Sequence, residues 1–431
     1  MSDKKIPTGK YKRSAITGLT SARIGLKHAI HLSKKTLSTP KNPQQLNNQH
    51  EEEIGKIVIN ALMLLRGTAL KVAQMMSMEL DMLPEGIRGE LAKACHQVTP
   101  LNRAHIRKVF IAEFNHAPEK LFQTFDPTAF AAASLGQVHK ALSPDNHQLA
   151  VKIQYPGIGA SIESDVQLVR GIMKPIAKKT AYLPRWEIID EVLNNIKKQL
   201  ELEIDYAQEA KNTQWFTTHF NFPNIRTPQV YTQFSGKKVL TTGYISGKHL
   251  DDWLAENPNQ TLRNQYGQRL FDMFCYQLHE LNVLHADPHP GNFLFCDNGD
   301  IALIDFGCIQ QLTPEYPKTI TRLFSRDKKQ IYQTYIDLNI IDSDLSFEKF
   351  NHDFFQPIEP LHSWMSAPGL AQTYDFSQMP PMPQKPLSQL KNAVGQISGM
   401  QQNQIYFDRS YFGLLSILRK IGANIDTTRL V

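Results

Sequence analysis

Leu284-His285-Ala286-Asp287-Pro288-His289-Pro290-Gly291-Asn292, followed by Ile304-Asp305-Phe306-Gly307, decides how this chain is read. Phosphoryl transfer asks little covalent chemistry of a protein. It needs a carboxylate near the accepting oxygen, and an amide oxygen and a second carboxylate to hold a divalent cation. Asp287, Asn292 and Asp305 are residues of those types, separated by five and then thirteen positions. His285, Asp287 and His289 also form an H-x-D-x-H run, and imidazole with carboxylate suits zinc or iron. That alternative leaves the spacing of Asn292 and Asp305 unexplained.

Order and spacing of the three residues match the catalytic loop and metal-binding loop of protein kinases. Working outward, a nucleotide site also needs a cation for the phosphates and a carboxylate to hold that cation's side chain. Gln148 to Gln154 reads as a strand in which Leu149, Val151 and Ile153 alternate with Ala150 and Lys152, which puts Lys152 opposite the aliphatic face. It follows a strand at Val138 to Leu142, a polar turn at Ser143 to His147, and a small-residue loop at Ala131 to Gln137. Glu209, in a helical stretch from Ile158 to about His219, is the natural partner of Lys152. The two are 57 positions apart, too far for an ordinary protein kinase, so something is inserted between strand and helix.

Further strands are expected near Gln229 to Tyr231 and Lys238 to Gly243, and helices at Leu250 to Glu256 and Arg263 to Leu281. The opening motif then lies between short strands around Phe293 to Phe295 and Ala302 to Ile304. Beyond Thr313 the chain reads as mainly helical, interrupted by an irregular loop from Ala367 to Leu387.

The 431 residues carry a net charge of +6. Residues 1 to 40 hold nine lysines and arginines against Asp3, or +8, which leaves the rest near −2 and argues against a nucleic-acid-binding body. From Ser14 to Leu37 apolar residues recur at helical spacing with basic residues between them. Such a helix lies on an anionic membrane surface, packs on the protein's own surface, or forms a loosely held arm. Ser38 to Gln49 reads as a linker, and Glu51 to about Lys93 as a largely buried helical block broken near Pro84. No apolar run of about eighteen residues and no secretory signal is present, so a cytoplasmic protein without a membrane span is expected. Cys95, Cys275, Cys296 and Cys308 show neither C-x-x-C nor zinc spacing and read as unpaired thiols.

Several separate motifs resemble the AarF/UbiB family of atypical kinase-like proteins, over about residues 55 to 325. Lys71-Val72-Ala73-Gln74 resembles its K-x-G-Q, with Ala73 where glycine is usual. Ala131-Ala132-Ala133-Ser134-Leu135-Gly136-Gln137 resembles its alanine-rich loop, Ala150-Val151-Lys152 its strand lysine, Glu203-Ile204-Asp205 its E-x-D, and the opening pair its catalytic and metal loops.

The resemblance implies an α+β, protein-kinase-like two-lobed fold with an added N-terminal helical region, binding ATP with Mg2+ between the lobes. It divides the chain into an arm and linker (1–49), a helical extension (50–126), an N-lobe (127–247) and a C-lobe (248–431). It places Lys152 on the phosphates with Glu209 as partner, Asp287 as catalytic-loop carboxylate, and Asn292 and Asp305 on metal. Ala133, Ser134 and Gly136 would approach the phosphates, and Thr241 and Tyr244 the adenine. Lys71, Gln74, Glu203 and Asp205 would lie over the active site and obstruct a protein substrate. Alanines in place of glycines restrict backbone freedom beside the phosphates, so the nucleotide pose should differ from that of a protein kinase.

The implied activity is that of an ATPase or of a small-molecule or lipid-directed kinase supporting ubiquinone or other isoprenoid-quinone biosynthesis. The protein would act peripherally at the inner face of a membrane, with quinone-biosynthesis enzymes or lipid precursors as partners. The alternative is a non-catalytic adaptor switched by ATP and ADP.

Overall fold

The structure, a computed structural model, describes residues 103–133, 135–179, 186–383 and 392–431 apart from 394 and 400, together with Val72. The expected basic helix, linker and block 51–93, with Lys71, Ala73, Gln74 and Cys95, lie outside the described residues, as does Ser134. Val72 is helical and fully buried.

The chain forms two compact units. The first takes in α1 (Arg103–Phe114), β1 (Thr124–Ala133), β2 (Gly136–Leu142), residues 150–154 of β3 (Gln148–Gln154), α2 (Ile158–Lys179), α3 (Trp186–Glu203) and residues 236–239. The strands hydrogen-bond in the order β1-β2-β3-β5, with β5 at Val239–Gly243. Leu149, Val151 and Ile153 are fully buried while Ala150 and Lys152 are half-buried, as the alternation predicts.

The alanine stretch departs from expectation. Ala131, Ala132 and Ala133 are not loop but strand, antiparallel to Val138, Gln137 and Gly136, with register shifts between Phe125 and Ala131. Their small side chains gave no period-2 signal, whereas backbone pairing depends only on the partner strand. Pro127 is tolerated because β1 stands at the sheet edge.

Two helices fill the interval between Lys152 and Glu209. Ile162, Val166, Val169 and Met173 on α2, and Ile189, Leu193, Ile196 and Leu200 on α3, are buried at steps of three and four, one apolar stripe per helix. Arg170 crosses between the helices to Asp190 (2.6 Å) and Asn194 (2.6 Å), and Lys197 pairs with Glu163.

The second unit holds residues 206–235 and 240–431, with 147–149. It contains α4 (Tyr206–His219), α5 (Leu250–Ala255), α6 (Gln260–Tyr276), α7 (Lys328–Asp337), α8 (Gln356–Ser366) and α9 (Gln402–Ile421). Helix α6 runs into a wider π-type turn, Gln277–Leu281, stopped by Asn282 in a left-handed conformation at φ 53°. The short strands that follow are β6 (Val283–His285), β7 (Phe293–Phe295), β8 (Ile301–Leu303) and β9 (Ile309–Gln311), with β4 (Ile225–Arg226) parallel to β8.

The segment from Ala367 is more ordered than its Pro- and Gln-rich composition suggests. Thr373–Asp375 forms β10, antiparallel to β11 (Asn424–Asp426), and Phe376 is fully buried. Backbone bonds to a strand fifty residues away leave no local sequence signal. Among the described residues, no helix is long and apolar enough to cross a membrane.

Candidate functional site

Two strand pairs bracket the opening motif. β6 pairs with β9, joining the entry of the 286–292 loop to the exit of the 304–308 loop, and β7 pairs with β8, joining the exit of the first to the entry of the second. Held at both ends, the loops come together: Ile304 N–H donates to Asn292 O (3.1 Å) and Ala286 N–H to Cys308 O (3.0 Å).

Asn292 Nδ2 donates to the Asp287 carboxylate, at Oδ2 (2.7 Å), and to its backbone oxygen (2.9 Å). Both contacts use Nδ2, so the amide presents Oδ1 on its other side. On the second loop, Asp305 Oδ1 accepts from Gly307 N–H (2.9 Å), and the backbone oxygen of Asp305 accepts from His285 Nε2 (2.6 Å). His285 N–H in turn donates to Gln277 Oε1 (2.7 Å), so the π-type turn helps position the site. Phe306 is fully buried against Phe216 and His285, and Asn212 of α4 donates to its backbone oxygen (2.9 Å).

The H-x-D-x-H run is not gathered as a ligand set. His285 is committed to Asp305 as described, and His289 Nδ1 accepts from Gly291 N–H (3.0 Å). Among the described residues there is no group of three or more His, Cys, Asp and Glu suited to hold a metal. An amide oxygen and a carboxylate are hard donors, the set with which magnesium is held together with a ligand's phosphates. The residues present therefore fit magnesium–nucleotide.

One residue of this cluster was not foreseen. Arg409, on α9, pairs through Nη2 with Asp287 Oδ1 at 2.7 Å. Gly413, one turn further along α9, lies so close to the loop that a Cβ there would stand 2.1 Å from Pro288 Cγ. The sequence held one indirect signal: from residue 284 to residue 307 there is no lysine or arginine. Next to Arg409, burial pushes the Asp408 carboxyl up to about 7, against a bond from Gln404 (2.7 Å).

The remaining expected residues are placed as follows. Lys152 lies half-buried on β3 in the first unit, and Glu209 lies in the first turn of α4 in the second unit, 3% exposed. Two residues beyond Lys152, Gln154 Nε2 donates to Ile204 O (2.9 Å), which ties Glu203-Ile204-Asp205 to the end of β3. Ala133 pairs with Gly136 at the β1–β2 turn. Thr241 is fully buried, its hydroxyl donating to Phe234 O (2.6 Å) and its N–H to Ser235 Oγ (3.0 Å), while Tyr244 N–H donates to Gln148 O (2.9 Å). These amides are committed to the fold. Cys275 and Cys296 are buried, which pushes both thiols up, and Cys308 is half-buried.

A sheet-bearing unit, and a helical unit whose two strand-bracketed loops carry Asp287, Asn292 and Asp305, define a protein of kinase-like α+β fold. The ABC1 atypical kinase-like domain matches residues 93–335, more than half of the chain, and the chain belongs to that family, the AarF/UbiB group its motifs resemble. A probable serine/threonine-protein kinase, abkA, of Dictyostelium discoideum is 30% identical over 299 residues, 65% of this chain and 52% of that protein. Atypical kinase COQ8B, mitochondrial, of Rattus norvegicus is 27% identical over 391 residues, 87% of this chain and 70% of that protein. The chain spans about half the length of several curated relatives it matches, 52%, 59% and 42% in three of them. Rv3197 of Mycobacterium tuberculosis, solved in complex with erythromycin, shares the fold with a TM-score of 0.60 at 21% identity, over 90% of this chain and 97% of that one.

Proposed function

We propose that this protein uses ATP with magnesium in phosphoryl-transfer chemistry, as an ATPase or a kinase of a small molecule or lipid, in support of ubiquinone or other isoprenoid-quinone biosynthesis. The observation that carries the chemical part is the pairing of Asp287 with Asn292 at 2.7 Å, beside a second loop carrying Asp305. Family membership supports the rest.

In this reading Asp287 accepts the hydrogen bond of the attacking hydroxyl or water and takes its proton. Asn292, through Oδ1, and Asp305, through its carboxylate, hold magnesium, which when bound neutralises charge on the phosphates. Lys152 contacts the phosphates, with Glu209 in support, and Ala133, Ser134 and Gly136 approach them. With Thr241 and Tyr244 beside it, adenine lies at the segment 241–245, whose backbone groups contact it. Lys71, Gln74, Glu203 and Asp205 restrain the site, so a polypeptide acceptor is disfavoured. The basic first forty residues suit an anionic membrane surface, at which the protein acts peripherally from the cytoplasmic side.

The test is phosphate release from magnesium–ATP by wild type, Asp287→Asn and Asp305→Asn, with and without anionic liposomes and a phenolic quinone-precursor analogue. Turnover in wild type that falls at least about a hundredfold in both variants, to a residual rate, is expected. Binding of ATP without turnover under every condition would overturn the enzymatic reading in favour of an ATP/ADP-switched adaptor.

A further inference from the structure

The family domain ends at residue 335, yet the proposed catalytic carboxylate is held by a side chain well beyond it. Helix α9 meets the catalytic loop with three residues of one face. Arg409 reaches Asp287, Ser410 Oγ lies 3.4 Å from His285 O, and Gly413 receives the ring of Pro288. Residues one turn apart share a helix face, so 409 and 413 act together. The opposite face is anchored in the core by Phe407, Tyr411, Leu415 and Leu418, each fully buried, and Tyr411 donates to Met365 O (3.0 Å). The helix is a fixed platform from which Arg409 projects.

The pairing of Arg409 with Asp287 contributes little to fold stability. Arg409 and Asp287 are 37% and 31% exposed, and ion pairs with that much water around them add little to stability. The two loops lack a lysine or arginine of their own. None occurs from residue 284 to residue 307. A carboxylate offers about four lone-pair positions. Asn292 and Arg409 take one on each oxygen of Asp287, which fixes the plane of the group and leaves a position on each oxygen for an acceptor hydroxyl.

We propose that Arg409 is a positioning residue of the phosphoryl-transfer centre, holding Asp287 in its working orientation and supplying the cation that the two loops lack. This rests on the ATP-turnover reading above. The experiment compares Arg409→Ala and Arg409→Lys in the full chain, each alone and with Asp287→Asn, in magnesium–ATP turnover. Loss of one charge-assisted hydrogen bond lowers kcat about ten- to hundredfold for Arg409→Ala, with the KM for ATP changed by no more than about twofold. Arg409→Lys recovers part of the loss. In the Asp287→Asn background Arg409→Ala has no further effect, because the residue acts through that carboxylate.

Faster turnover in Arg409→Ala, unchanged turnover, or an equal loss in the Asp287→Asn background would each overturn the inference. If wild type binds magnesium–ATP without turning it over, the turnover reading has failed instead. The anchoring is then judged by hydrogen exchange of residues 284–292. Faster exchange in Arg409→Ala than in Arg409→Lys supports it, and equal exchange overturns it.

Discussion

Gly413→Ala is a one-carbon change aimed at the contact between α9 and the catalytic loop. The new Cβ would stand 2.1 Å from Pro288 Cγ and 2.7 Å from its Cβ, whereas carbons in contact sit about 3.5–4.0 Å apart. Helix and loop must therefore separate by about 1.4 Å or more. A proline ring cannot swing aside, and the helix is pinned by its core face, so the loop gives way. The same displacement would stretch the 2.7 Å Arg409–Asp287 bond beyond hydrogen-bonding range. In stability, alanine gains about 1 kcal/mol over glycine in a helix and overpacking costs about 1–3 kcal/mol. The expected net is a loss of up to about 2 kcal/mol, a Tm lower by a few degrees.

The assay is thermal unfolding together with magnesium–ATP turnover, with Gly395→Ala as control, since no atom lies within 4 Å of a Cβ there. Turnover should fall much further than stability in Gly413→Ala and hold in the control. Adding Pro288→Ala removes the closer of the two clashing carbons and should restore turnover in part. A Gly413→Ala protein with wild-type Tm and wild-type turnover would refute the close approach and the reasoning built on it.

Two further outcomes are expected. Asp408, whose carboxyl burial pushes up to about 7, keeps a proton in the folded chain that the unfolded chain releases from about pH 4 upward, so it lowers stability progressively as pH rises through that window. Asp408→Asn, which still accepts from Gln404, should raise stability at pH 8 by at most about 4 kcal/mol, at 1.36 kcal/mol per pH unit, and change it little at pH 4. The same gain at both pH values in thermal unfolding would contradict the burial of that carboxyl. Lys152→Ala should weaken magnesium–ATP binding at least tenfold by titration calorimetry, the cost of one charge-assisted contact, and unchanged affinity would remove Lys152 from the proposed site.

The loops were legible because their chemistry is local: Asp287, Asn292 and Asp305 stand at fixed intervals on segments whose short strands show in the sequence. The interval between Lys152 and Glu209 also predicted inserted structure, and α2 and α3 fill it, each with its own apolar stripe. What escaped is what depends on distant partners. β1 exists because β2 offers its backbone, and β10 because β11 does, 50 residues on. Arg409 reaches Asp287 across 122 residues, and nothing in its neighbourhood marks it among the chain's other basic residues. The shortage of lysine and arginine across the two loops said that a cation was needed without saying where it would come from.

The burial of Phe306 limits how this protein can be regulated. Its ring is enclosed by Phe216 and His285, and bringing a phenylalanine side chain into water costs about 1.5–3 kcal/mol before the vacated space is counted. A form with Phe306 swung outward and Asp305 displaced would make up roughly a few per cent of molecules at most. The metal-binding loop is thus a poor place for a ligand to act as a toggle. Control exerted at the Arg409–Asp287 pair, which is partly exposed to solvent, would bring no apolar side chain into water.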